Sequence, residues 1–79
     1  MLFSNLSTNS WFRIELIQAR MLGRDSEIIY VKISEQGAPG RAAPVRVRGS
    51  EVDTNYAASI DVALDCWVIP QRLEVRDAA

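Results

Sequence analysis

The run Glu27-Ile28-Ile29-Tyr30-Val31-Lys32-Ile33 constrains the fold more than any other segment of this chain. It is β-branched and aromatic, and such side chains fit a pleated surface better than a helical turn. Successive residues of a strand point to opposite faces, so Ile29, Val31 and Ile33 share one face and Ile28, Tyr30 and Lys32 the other. A chain that contains such a strand must supply it with partners. Trp11 to Arg20 offers the first, with Phe12, Ile14 and Leu16 on one side and Arg13 and Glu15 on the other. Leu22-Gly23-Arg24-Asp25-Ser26 lies between the two runs and carries turn chemistry, since glycine accepts positive φ and Asp and Ser bond nearby backbone groups. A hairpin is the expectation.

The stretch from Glu35 to Arg41 contains Gly37, Pro39 and Gly40 and reads as a connecting loop. Pro44 then marks a strand start or an edge. Val45 and Val47 alternate with Arg46 and Arg48, which gives a short third strand with a cationic outer face. After Gly49, Ser50 has the chemistry of an N-cap, and Glu51 and Asp53 suit the positive end of a helix. Val52, Tyr56, Ile60, Ala63, Leu64 and Trp67 fall on one stripe at helical spacing, so a helix is expected over 51–66, lying across the sheet. Pro70 prevents its continuation, and Leu73 and Val75 mark a last strand over 71–76. The order is β-β-β-α-β: an α+β fold in which an antiparallel meander carries one helix on one face and gains a final strand. Residues 1–10 read as an arm or short edge segment, and residues 11–79 as a single domain.

Size sets the energetic frame. A chain of 79 residues, 48% of them hydrophobic, builds one core and buries only about 60% of its unfolded surface. Association with a second copy or with a partner therefore adds stability that such a core lacks, and homodimerisation is among the expectations.

Catalytic chemistry finds no support in the residue types. The chain has no histidine and a single cysteine, Cys66, so the commonest general base and metal ligand is missing and no intrachain disulfide can form. Gly37-Ala38-Pro39-Gly40-Arg41 lacks the Lys-Ser or Lys-Thr pair of a phosphate loop. Cys66 has no base to make it a thiolate and reads as a small, semi-buried residue at the end of the expected helix. The expectation is a protein that is not an enzyme, binds no cofactor or metal, crosses no membrane and works in a reducing cytoplasm.

What remains is binding. Arg41, Arg46 and Arg48, with Tyr30 on the adjacent strand, form either a solvated edge that resists unwanted pairing or a docking patch for carboxylate, phosphate or nucleic acid. Trp11 either packs under the helix or serves as an exposed anchor. Asp61 and Asp65, at i and i+4 on the outer helix face, together with Glu51 form either an ordinary solvated face or an acidic contact surface. Nucleic-acid binding through the arginines, with Tyr30 and Trp11 as stacking platforms, ranks below protein binding, because the net charge is −1 and phosphate neutralisation needs an excess of cations.

The ending Val68-Ile69-Pro70-Gln71-Arg72-Leu73-Glu74-Val75-Arg76 resembles the final strand of a type I-F anti-CRISPR protein, and the short, non-basic chain without catalytic groups is similar in general make-up to small phage-encoded inhibitors of that kind. The resemblance implies stoichiometric blocking of a Cas protein or of a larger ribonucleoprotein surveillance complex, and it carries no functional residue across. A three-stranded meander followed by a helix also resembles the antitoxin half of the HicA–HicB pair, although Arg46-Val47-Arg48-Gly49-Ser50 replaces the turn expected before that helix. An oligomerising assembly subunit, joined through a sheet edge, is the third expectation.

Overall fold

The computed structural model describes residues 1–34 and 39–72. It shows an α+β fold in which one helix packs against an antiparallel sheet. The elements are β1 (Trp11–Ile14), α1 (Leu16–Leu22), β2 (Ile29–Ser34), β3 (Gly40–Arg48), β4 (Glu51–Thr54), β5 (Ile60–Val62) and β6 (Val68–Gln71), with single 3-10 turns at Phe3–Asn5 and Tyr56–Ala58. The strand order is β4-β3-β2-β1-β6, and β5 also pairs with β3.

The class and the meander agree with the alternation patterns, but the helix sits elsewhere in the chain. Residues 51–66 are not helical: they form β4, a 3-10 turn and β5, so the order β-β-β-α-β does not hold. Asp53, Thr54 and Asn55 span the end of the first turn and the start of the second turn of the expected helix, and short polar side chains there compete with helical backbone bonds. Gly49 and Ser50 instead link Arg48 to its cross-strand partner Glu51. Gly49 has a φ of 63° and Ser50 does not have a positive φ, the pattern of a two-residue hairpin turn with glycine first.

The helix begins within the span expected to be the first strand and ends at Leu22, in the expected turn. β1 stops at Ile14, and Leu-Ile-Gln-Ala-Arg-Met-Leu, mostly good helix formers, coil between two caps. The Glu15 carboxylate accepts from the N–H groups of Ile17 (3.0 Å) and Gln18 (3.1 Å). At the other end Gly23 takes the left-handed conformation, while its N–H donates to Arg20 and that of Arg24 to Ala19, which satisfies the last carbonyls.

β3 begins at Gly40, inside the stretch expected to be loop, and continues through Pro44. The carbonyl of Pro44 accepts from Asn55 N–H, and the N and C=O of one strand residue point the same way. Its missing donor thus faces the gap between β4, which pairs with 45–48, and β5, which pairs with 40–42. Of the last strand expected over 71–76, Gln71 ends β6 and Arg72 is outside it; the remainder lies outside the described residues.

The main core forms on the face of the sheet that carries Phe12, Ile14, Tyr30, Ala42, Val62 and Val68. Phe3 and Leu6 close it from the N-terminal segment and Ala19 from α1. Residues 1–10 are therefore part of the domain. Phe3 N–H donates to Cys66 C=O at 2.9 Å and Ser4 N–H to Leu64 C=O at 2.9 Å. Phe3 meets Phe12 edge-on at 5.3 Å, and Phe12 stacks on Tyr30 at 5.8 Å. Val31, Ala43 and Val45 form a second, smaller cluster on the opposite face, flanked by Trp11, Ile29 and Ile33.

Candidate binding surface at one end of the sheet

The strand registers bring several chain segments to the same end of the sheet. Ile14 at the end of β1 faces Val68 at the start of β6, Phe12 faces Tyr30, and Ile29 at the start of β2 faces Val45. Helix α1, the loop before β2, the β3–β4 turn and the start of β6 all gather there. Almost every large apolar residue that the fold leaves exposed belongs to these segments: Leu16, Ile17, Met21 and Leu22 on α1, Ile28 before β2, Val47 and Val52 on the hairpin, Trp67 and Ile69 at β6, and Met1, which bonds to Val68. Tyr56, in the 3-10 turn, is the exception among the described residues. Exposed apolar side chains gathered at one end of a small domain are candidates for contact surfaces, and here they divide between the two faces of the sheet, since Val47 and Val52 share the parity of Val45, on the face away from α1.

Within this end the β3–β4 hairpin projects beyond β2. β2 pairs with β3 only as far as Val45, whereas β4 follows β3 to Arg48. Val47 and Val52 are directly opposed, each 42% exposed. Arg46 opposes Asp53 and Arg48 opposes Glu51 on the other hairpin face. Neither arginine forms an ion pair with a described residue. Between the hairpin and the start of β2 lies an open groove of about 660 Å³, lined by Glu27, Ile28, Ile29, Val45, Val47 and Thr54 among others.

The backbone in this groove is incomplete. Because Pro44 directs its carbonyl toward the β4 side, alternation sends the groups of Arg46 and Arg48 the same way and those of Val47 the other way. The N–H and C=O of Val47 thus point past the end of β2, and no backbone group among the described residues pairs with them.

The residues singled out in the sequence divide. Arg46 and Arg48 sit together on the hairpin, as alternation required, with Glu51 opposite Arg48. Arg41 has the other parity, lies on the opposite face, and bonds to Asp61 (2.9 Å) and to the Ser59 hydroxyl. Tyr30 is buried at 3% exposure in the main core and offers no platform for stacking. Trp11 is half-buried against the second cluster, on the face away from α1, so it neither packs under the helix nor stands out as an anchor. Asp61 and Asp65 do not share a helix face: Asp61 is in β5 and Asp65 follows it in a turn. Cys66 is buried, not at a helix end, and its thiol pKa is raised by burial first and then by the charges of Asp65 and Glu15. The antitoxin likeness loses its basis, since no α-helix follows the meander among the described residues.

Sequence reasoning missed the α1 surface and the open Val47 edge. The signal for the second was present in Gly49-Ser50 between two alternating apolar runs, which is a hairpin pattern. Among the described residues no helix is long and apolar enough to cross a membrane, and no three His, Cys, Asp or Glu side chains are grouped to hold a metal ion.

No protein-family model matches this chain, and searches of the curated proteins and of the solved structures return no match.

Proposed function

We propose that this chain is a non-catalytic protein-binding module that takes an extended segment of a larger protein along the free edge of β3 and so occludes that segment. The observation that carries this reading is the Val47 N–H and C=O directed into the groove beyond the end of β2, where apolar Ile28, Ile29, Val45 and Val47 stand among the charged side chains of Glu27, Arg46 and Asp53. A strand entering there continues the line of β2, gains main-chain bonds from Val47, and covers Ile28 and Val47. Arg46 and Arg48 stand beside it, available to acidic side chains of the partner.

Charge supports a protein over a nucleic acid. Around this end Arg13, Arg20, Arg24, Arg46 and Arg48 are matched by Glu15, Asp25, Glu27, Glu51 and Asp53. An apolar centre with a rim of both signs suits a protein interface, while a phosphate backbone needs a net positive track. Blocking of a larger assembly, the role that the anti-CRISPR resemblance implies, is one use of such a module.

The test is affinity capture from the native host with three versions of the chain. Val47→Pro removes the donor that faces the groove and leaves the β4-facing groups of Arg46 and Arg48 in place. A partner held by the wild type and by Tyr56→Glu but lost with Val47→Pro supports strand addition. Equal retention of every partner by all three, with the fold intact by circular dichroism, removes it.

A further inference from the structure

The free stretch of β3 beyond β2 carries side chains that select what can lie beside it. Residues directly opposed on neighbouring strands share a face of the sheet, and successive residues of one strand alternate between faces. Val47 has the parity of Val45, which packs in the smaller cluster, while Arg46 and Arg48 have the parity of Ala42, which packs in the main core. An incoming residue opposite Val47 therefore joins an apolar row with Val47 and Val52. Its two neighbours fall on the other face, beside Arg46 and Arg48. The pattern is the same for either direction of the incoming chain, because parallel and antiparallel strands alternate alike.

The charges nearest to those two neighbours are the arginines. Arg46 and Arg48 stand one strand away, about 5 Å, whereas Asp53 and Glu51 on β4 stand two strands away, about 10 Å. Interaction between exposed charges weakens with distance and is screened by salt over that spacing, so the β4 acids offset the arginines only in part. Neither arginine has an ion-pair partner among the described residues. Glu27, which lines the groove from the β2 side, has its carboxylate 3.8 Å from the Arg13 guanidinium. The chain also displays one sequence that answers this stretch: on the other edge of β3, Glu51, Val52 and Asp53 stand opposite Arg48, Val47 and Arg46.

We infer that the slot takes an extended peptide segment with the alternation acid–apolar–acid, its apolar residue opposite Val47 and a carboxylate beside each arginine. The assignment rests on strand addition at β3 and names the class of segment added. The partner strand repeats on the β2 side what β4 does on the other, and the arginines lie between two rows of carboxylates.

Titration of the full, isotope-labelled chain with three capped peptides, followed by NMR at the Val47 amide, tests it. Ser-Glu-Val-Asp-Ser is expected to bind roughly tenfold more tightly than Ser-Gln-Val-Asn-Ser, the effect of two exposed cross-strand ion pairs, and Ser-Lys-Val-Lys-Ser most weakly. The differences should narrow at high salt. A chain carrying Arg46→Gln and Arg48→Gln, with unchanged circular dichroism, should bind the first two peptides alike. Equal binding of all three peptides to the wild type, abolished by Val47→Pro, overturns the acid requirement and leaves strand addition standing. No shift at Val47 with any peptide removes strand addition and the inference with it. A Val47 shift that grows with protein concentration alone overturns the inference in favour of a second copy of this chain.

Discussion

Lys32 places its ammonium 4.5 Å from the centroid of the Phe3 ring and donates a hydrogen bond of 2.8 Å to the carbonyl of the same residue. A second bond reaches Leu6 C=O. The side chain is fully buried, where an ammonium survives only if hydrogen bonds and an aromatic face replace its water. It holds the 3-10 turn at Phe3–Asn5 against β2 and thereby seats Phe3 in the core. Lys32→Met keeps most of the volume but leaves carbonyls without their donor, and it is expected to cost about 2–4 kcal/mol. Urea unfolding measures the loss. A variant as stable as the wild type would show that the lysine contributes nothing net.

Gly40 answers to the same Phe3. A Cβ at residue 40 would run into the Phe3 ring and come within 3.2 Å of the Ser34 carbonyl, and the ring, fully buried, has no room to retreat. Gly40→Ala is expected to destabilise by about 1–3 kcal/mol through overpacking. Phe3→Leu should relieve part of that clash, so the double variant loses less than the sum of the two single losses. Additive losses in a thermal-unfolding cycle would mean that the two positions do not share the space.

How far these relations were legible differs from element to element. Alternation placed Tyr30 and Lys32 on one face of β2 and Val31 on the other, and both faces proved to be packed. Buried strands are specified by their own period, since a slip of one residue would exchange the faces. α1 was not legible that way. Only Ala19 of its seven residues is buried, so it has no inward apolar stripe to read, and Phe12, Ile14 and Leu16 continue the strand pattern into it without a break. Its evidence lies in the capping carboxylate of Glu15 and in Gly23.

The false helix over 51–66 arose from the converse. Val52, Tyr56 and Ile60 have helical spacing by coincidence, while Val52 and Thr54, the local β-branched pair, carry the period of a strand. At the candidate surface, parity alone joins Arg46 to Arg48 and excludes Arg41, but only once β3 is known to begin at Gly40. The open Val47 edge depends on where β2 stops, which is a property of pairing between distant segments and not of any local pattern.

The hairpin turn supplies a prediction free of packing. Gly49 has a φ of 63° and nothing within 4 Å of an added Cβ, so Gly49→Ala meets only backbone strain, about 1–2 kcal/mol for an L-residue in that region. Gly49→Asn should recover part of it, since asparagine is among the residues that primed hairpin turns accept at positive φ. Because the hairpin extends past β2, the effect should concentrate there: faster amide exchange at Arg46 and Arg48, with Phe12 and Tyr30 unchanged. Uniform acceleration across the sheet would show that the turn is coupled to the whole fold.

Cys66 gives the pH dependence. Burial, with the negative charges of Asp65 and Glu15, raises its pKa above the ordinary 9.0. As pH climbs past that value the unfolded chain loses the thiol proton while the folded chain keeps it. The folded state then binds more protons, and stability falls with rising pH. The contribution of the protonated, buried thiol is therefore fully present at neutral pH and is lost as pH rises through the folded pKa. Cys66→Ala removes the group, so the difference in unfolding free energy between wild type and variant should be level near neutrality and decline above pH 9. A difference that stays level through that range would show that the thiol ionises in the fold as readily as in water.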